Sequence, residues 1–331
     1  MRGNHSLDRR GFLVITGVSA LAAGLSISLR RRMIRQGSLG IYGETRLLMG
    51  TPVTVQITAR DQDQARRTVQ RTFQTMESFV KIFDLRDPLS PLTKLNRQKE
   101  LVSAPVELTS VIKEALAIGR LSHGALDIAI KPALDSYRQG FSPESSRGST
   151  FEDIQIRGEN IQLPKPGMEI TLDAIAKGWI VDRTVEFLRS QGCRGTLVEA
   201  GGDLYLSGYK GGTQDWKVGI RHPRGGVAAV VQGSSQAVAT SGDYQEAYDE
   251  KFCRHHVLNP KTGISPLSLA SATVIAPRAS QADGLSTAVL VLGAREGLDL
   301  IESLSGVEGL LVTKDLDLVS STGFRQFLPS S

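Results

Sequence analysis

Two segments, roughly 100 residues apart, hold the residues best suited to chemistry. One runs from Ile170 to Asp182 and includes Asp173, Ala174, Lys177 and Gly178. The other runs from Ala282 to Ala288 and includes Asp283, Gly284, Ser286 and Thr287. Each reads as a loop or extended stretch entering a helix, with a carboxylate, small residues and a polar group at the junction. A helix start offers unpaired N–H groups and a positive dipole end, which suit a phosphate. Asp283 and Thr287 are four residues apart, so a helix puts both on one face. A carboxylate, a hydroxyl and a few backbone carbonyls form a hard oxygen set, the kind Mg²⁺ takes beside phosphates. The chemistry suggested is a phosphorylated ligand with a metal. Two capped amphipathic helices with solvated carboxylates would read the same way.

The elements that must position these residues follow from periodicity. Residues 44–59 read as a strand pair or one long bent strand, with Val53, Val55 and Ile57 alternating. Asp61 caps a predicted helix to about Phe83, with Ala65, Val69, Phe73, Met76 and Val80 on one face. A loop and short helix occupy 84–96. Thr109 is expected to cap a helix through Ser122, stopped near Gly124. Ala125 to Pro132 is apolar around Asp127, and the Ser- and Gly-rich stretch 140–150 reads as a mobile loop. Ile154–Ile156 and Asn160–Leu163 suggest a hairpin. A helix is expected from Ala174 to Gln191. Strands then dominate, at Gly195–Glu199, Leu204–Ser207, Trp216–Ile220, Val227–Gln232, Ala237–Thr240, His255–Leu258 and Ser271–Ile275. Helices at Gln281–Leu292 and Arg295–Leu304 precede a last hairpin, Gly309–Thr313 with Leu318–Ser321. This is an α+β pattern with sequential, antiparallel strands. The regular strand–helix alternation of a doubly wound sheet is missing.

Residues 1–36 stand apart. Arg9 and Arg10 precede Phe12-Leu13, and an uncharged, weakly apolar run extends from Gly11 to Leu29. This resembles a twin-arginine export signal, which implies the twin-arginine export machinery as a partner and a periplasmic location. Ala20, Ala22 and Ala23 allow cleavage, whereas Arg30-Arg31-Arg32 suit an uncleaved membrane anchor. The leader carries seven arginines against one acid; the remainder has 32 basic and 33 acidic residues. The net charge of +5 therefore belongs to the leader, and no basic stripe supports nucleic-acid binding. Cys193 and Cys253 form no C-x-x-C pair. One disulfide or two separate thiols both fit.

Six segments, closed by Ala282–Ala288, occur in the order seen in one family. They are Met49-Gly50-Thr51; Ser90 to Asn96; Gly124-Ala125-Leu126-Asp127; Asp173 to Asp182; Ala200 to Asp203; and Thr240 to Tyr244 with His256 to Gly263. Together the chain resembles the FAD:protein FMN transferases, the ApbE-like flavin transferases, over residues 44–328. The resemblance implies an α+β, T-fold-related domain with antiparallel sheets flanked by helices. It also implies FAD as substrate, with Mg²⁺ at the pyrophosphate. FMN would move onto a Thr or Ser hydroxyl of an acceptor, here an extracytoplasmic redox protein, through a phosphoester bond, and AMP would leave. A FAD pyrophosphatase and a non-catalytic flavin-binding protein are the alternatives.

Under that resemblance, Asp283, Ser286, Thr287 and the Ala174 carbonyl would hold the metal. Lys177 would reach a phosphate or ribose, and Asp173 would contact flavin or adenine, although Thr171 stands where many members place an acid. Ala125, Leu126, Asp127, Met49 and Leu258 would pack the rings. Gly202, Ser241 and Gly242 would bring backbone and hydroxyls to the ligand. His256, which titrates near neutrality, would accept the proton of the incoming hydroxyl; in a strand, His255 would face away. Asp182 reads as a structural partner of Arg183. Besides Thr171, two positions depart from the family: Arg86 where a Tyr is common, able to stack on a flat ring, and Asn259 in place of an Asp before Pro260.

Overall fold

The computed structural model describes residues 13–14, 39–141 and 148–329. Apart from Leu13–Val14, the leader lies outside the described residues, as does most of the loop expected at 140–150. Among the described residues no helix is long and apolar enough to cross a membrane.

The centre is an eight-stranded sheet with the order β14-β13-β12-β11-β8-β7-β3-β2, every pairing antiparallel. Its strands are β2 (Gly40–Leu48), β3 (Thr51–Ala59), β7 (Thr196–Ala200), β8 (Asp203–Ser207), β11 (Ser235–Gly242), β12 (Leu269–Ala276), β13 (Glu308–Thr313) and β14 (Leu318–Ser320). A second sheet joins β1 (Leu13–Val14), β9 (Trp216–Arg221) and β10 (Val227–Gly233); a third joins β4 (Glu100–Leu101), β6 (Asn160–Gln162) and β5 (Gln155–Arg157).

Alternation along the strands splits the core in two, because successive side chains face opposite sides of a sheet. Val198, Tyr205, Ala237, Ala239 and Val274 join a large cluster under the helices. Leu197, Leu204, Leu206, Val238 and Ile275 point the other way, onto Trp216, Val218, Ile220 and Val231 of the β9–β10 ribbon. The helical layer comprises α1 (Gln62–Phe83), α2 (Pro91–Gln98), α3 (Val106–Leu121), α4 (Lys131–Arg138), α5 (Ala176–Ser190), α6 (Ala279–Leu292) and α7 (Ala294–Glu302). Asp61 caps α1 as its spacing predicts, accepting from the N–H groups of Asp63 and Gln64.

Three local expectations are corrected, and one open alternative is decided. α3 starts at Val106 after Pro105, so Thr109 lies inside the helix and its N–H bonds to the Pro105 carbonyl. α5 starts at Ala176 rather than Ala174, because the N–H groups of Ile175 and Ala176 both turn back to the Leu172 carbonyl. Residues 255–258 form no strand beyond a single bridge between Ala247 and His255. There the His255 N–H goes to Ser265 Oγ and the His256 N–H to the Glu246 carbonyl. Cys193 and Cys253 are both free thiols.

Candidate active site

α5 and α6 cross at a point where α5 has no room for a side chain. A Cβ on Gly178 would stand 2.3 Å from the Ala279 carbonyl oxygen and 2.8 Å from Asp283 Cβ. On the far side of α6, a Cβ on Gly284 would stand 2.5 Å from Ile118 Cδ1 of α3. The small residues of both segments thus serve helix packing. α6 begins at Ala279, and Asp182 of α5 caps it across the contact. The Asp182 carboxylate accepts from Ala279 N–H (2.7 Å), Ser280 N–H (3.0 Å) and Ser280 Oγ (2.8 Å). Asp182 is therefore a tertiary helix cap, while Arg183 pairs with Glu186 instead. Asp283 is the fifth residue of α6, not its cap. The phosphate-binding helix start expected near Asp283 is absent, because Asp182 already occupies the first N–H groups.

Close packing brings Asp283 Oδ2 to the Gly178 N–H at 3.0 Å. Lys177, one residue earlier, places Nζ 2.6 Å from Asp203 Oδ2 and 3.6 Å from Asp283 Oδ2. Asp203 enters from the turn between β7 and β8, where Gly201 (φ 64°) and Gly202 (φ 106°) take conformations that suit residues without a Cβ. Two buried carboxylates thus share one ammonium. Burial, reinforced by Asp203, pushes the Asp283 carboxyl up to about 7. Burial also raises Asp203 against the pull of Lys177. For Lys177 burial works downward, but the two carboxylates outweigh it and its pKa is raised.

Hydroxyls surround the same point. Ser241 Oγ, at the end of β11, lies 2.8 Å from Ser286 Oγ and 2.9 Å from Thr287 Oγ1. Ser286 Oγ donates to the Asp283 carbonyl at 2.9 Å. Among the described residues no group of three or more His, Cys, Asp or Glu is arranged to hold a metal. What is present is one carboxylate in negative surplus, with hydroxyl oxygens beside it. That set fits a hard divalent cation, whose charge would relieve the surplus. Asp283, Thr287 and Ala174 line the pocket. Ser286 is fully buried and holds Ser241 from behind.

The pocket continues into an apolar wall formed by Ala125, Leu126, Ile128, Ile130, Leu134 and Leu258. Asp127 lies in that wall and caps a 3₁₀ turn, accepting from Ala129 N–H at 2.8 Å. Burial pushes its carboxyl up to about 6. His256 faces the pocket, whereas His255 is completely buried with Nε2 3.3 Å from the Pro266 carbonyl. Burial pulls His256 down to about 4, helped by the positive charge of His255, Lys177 and Arg138. Its imidazole is therefore neutral at neutral pH, and its buried Nδ1 has no hydrogen-bond partner.

The profile of the ApbE family matches residues 49–311. The chain belongs to the ApbE family. It is 30% identical to a Vibrio cholerae FAD:protein FMN transferase, covering 73% of this chain and 76% of the relative. Identity to a Haemophilus influenzae FAD:protein FMN transferase is 28%, covering 95% and 97%. The crystal structure of the ApbE protein from Thermotoga maritima superposes with a TM-score of 0.79 at 27% identity, covering 88% of this chain and all of the other. The flavin transferase ApbE from Vibrio cholerae gives 0.74 at 25% identity, with the same coverage.

Within this ApbE-family pocket the structure gathers Ala125, Leu126, Asp127, Asp173, Ala174, Lys177, Ser241, His256, Leu258, Asp283 and Thr287. It leaves Met49, Gly202 and Gly242 outside the lining. Met49 (φ 55°) makes the turn between β2 and β3 and packs on the core. The Gly202 N–H donates to Glu199 Oε1 at 3.0 Å. Gly242 makes room for Tyr244, whose ring a Cβ there would meet at 2.4 Å. The Arg86 guanidinium is tied to Asp84 by two hydrogen bonds (2.9 and 3.1 Å) and does not line the pocket. Asn259 Oδ1 accepts from the Lys261 N–H, a turn role. Sequence reasoning did not single out Ile128, Ile130, Leu134, Arg138 or Gln245 as lining residues, and it read Asp203 and Thr240 only as members of their turn segments. Asp203 was legible as part of a glycine turn; nothing local marked Arg138.

Proposed function

We propose that this protein transfers FMN from FAD to a Thr or Ser hydroxyl of an acceptor protein, forming a phosphoester and releasing AMP. The observation that carries the reading is one pocket in which Asp283, Thr287 and Ser241 meet Lys177 and a neutral His256. Family membership and relatives named FAD:protein FMN transferase support it.

In the reaction the acceptor oxygen bonds to the FMN phosphorus, the phosphorus–oxygen bond to AMP breaks, and the imidazole of His256 takes the hydroxyl proton. Its low proton affinity keeps it free to do so at neutral pH. Lys177, fixed by Asp203, supplies positive charge where phosphate charge develops. The apolar wall of Ile128, Ile130, Leu134 and Leu258 takes a flat ring and excludes water. Asp283, Thr287 and the Ala174 carbonyl would hold Mg²⁺, with Ser286 behind, and the ion would neutralise charge on the pyrophosphate and the leaving AMP. The leader around Arg9-Arg10 supports a periplasmic enzyme, exported by the twin-arginine machinery, acting on an extracytoplasmic redox protein.

The test is AMP release from FAD and Mg²⁺, with and without a Thr-containing acceptor. Acceptor-dependent AMP with a covalently fluorescent acceptor is the expected result. AMP without labelling would replace transfer with hydrolysis, and bound FAD without AMP would leave only a flavin-binding protein.

A further inference from the structure

Arg138, the last residue of α4, lines the pocket with Leu134 and Leu258 and has no role in the proposed transfer chemistry. Its guanidinium donates to Tyr248 Oη at 3.1 Å and to Glu246 Oε2 at 3.3 Å. It acts on the same point as Lys177. Both cations press down on the pKa of His256. Both also feel Asp173 at the pocket lip.

The two cations are held very differently. The carboxylates paired with Lys177 keep only 3% and 4% of their side-chain surface exposed, whereas Glu246 keeps 49%. A half-exposed ion pair is worth little, because water screens it and competes for both groups. The Lys177 side chain is itself 30% exposed, but both of its carboxylates are almost wholly buried, so water competes far less for that pairing. Lys177 is therefore fixed, and Arg138 is the cation that can change partners. Its planar fork matches a phosphate better than an ammonium does. Glu246 would keep Tyr248, whose Oη lies 3.5 Å from Oε1.

We propose that Arg138 is a phosphate-binding residue of this pocket, exchanging Glu246 for an oxygen of the donor nucleotide's pyrophosphate. The inference rests on the flavin-transfer reading and adds a contact from the end of α4, in the same pocket as the Asp203–Lys177 pair. Glu246 then acts as a competitor for the guanidinium: its side chain opposes nucleotide binding, while its backbone carbonyl holds the His256 N–H at 3.0 Å.

The experiment is FAD binding by calorimetry to the full chain and to Arg138→Gln, Glu246→Gln and the double variant. Arg138→Gln should weaken FAD about ten- to a hundredfold, the loss of a charge-assisted contact. Glu246→Gln should tighten FAD about two- to fivefold, by freeing the guanidinium. In the Arg138→Gln background, Glu246→Gln should do nothing. A purely structural clamp predicts that both single changes weaken FAD, and that result would overturn the proposal. So would unchanged binding in Arg138→Gln, or an equal gain from Glu246→Gln in both backgrounds, which would mark a long-range charge effect. Should Arg138→Gln not fold, Arg138→Met takes its place in the single and double variants, and the same outcomes decide. Failure of the unaltered protein to bind FAD would sink the flavin-transfer reading itself, a result distinct from any of these.

Discussion

The backbone N–H of Gly178 donates to Asp283 Oδ2 at 3.0 Å, and the bond exists because residue 178 has no side chain. A methyl group there would meet the Ala279 carbonyl and Asp283 Cβ inside contact distance. Gly178→Ala should therefore force α5 and α6 apart, at a cost of about 1–3 kcal/mol. The same displacement moves the Asp283 carboxylate relative to Lys177. AMP release from FAD should fall by more than the loss of folded protein explains. Urea midpoints and turnover measured together check this; full turnover in a destabilised variant would separate the packing from the chemistry.

Asp283 is the carboxylate of the cluster that also lies beside the Thr287 and Ser241 hydroxyls on the pocket wall. Asp203 is committed to Lys177 at 2.6 Å. Asp283→Ala should abolish Mg²⁺-dependent AMP release, because the proposed cation loses its carboxylate. FAD should still bind through the apolar wall. Full activity in that variant would overturn the metal assignment.

Much of the scaffold was legible locally. Val53, Val55 and Ile57 alternate and are buried, and Asp61 caps α1 as its spacing predicts. The candidate site was legible as a set of residues, but its architecture was not. Asp283 sits inside α6 because Asp182, far away in sequence, caps that helix; no local rule finds such a partner. The small residues near Lys177 and Asp283 read as parts of helix starts open to a phosphate, whereas Gly178 and Gly284 are room for neighbouring helices. His255 and His256 read as a strand, but a side-chain hydroxyl and a distant carbonyl take their N–H groups. Arg138 carries no local signal because its place depends on how α4 meets the 246–258 loop.

Glu199 gives the fold a pH dependence of known sign. Its carboxyl is pushed up to about 7 by burial, against the N–H groups of Gly202 and Gly201 and the Thr54 hydroxyl, which favour the charged form. The unfolded chain releases that proton near 4.5. Between these values the folded state binds the extra proton, so the contribution is complete below pH 4.5 and lost as pH rises through about 7. Glu199→Gln has no proton to lose. The melting temperature of the unaltered protein relative to Glu199→Gln should decline from pH 4 to pH 8. Parallel curves would mean that Glu199 titrates alike in both states.

His256 gives the reaction a pH dependence of the opposite sense. A base must be neutral to accept a proton, so its contribution is present above its pKa and lost as pH falls through it. Burial first, then the charges of His255, Lys177 and Arg138, set that value at about 4 rather than the ordinary 6.5. At saturating Mg²⁺, kcat/KM for FAD should carry an acid limb near pH 4, since this ratio reports the free enzyme. His256→Gln should remove that limb and slow transfer about a hundredfold or more while leaving FAD bound. A limb at 6.5 that vanishes in His256→Gln would show the imidazole more hydrated than its surroundings imply, whereas one that survives there would belong to the Asp127 or Asp283 carboxyl. Loss of FAD binding in the variant would make His256 a structural residue, and unchanged transfer would move the proton to another acceptor.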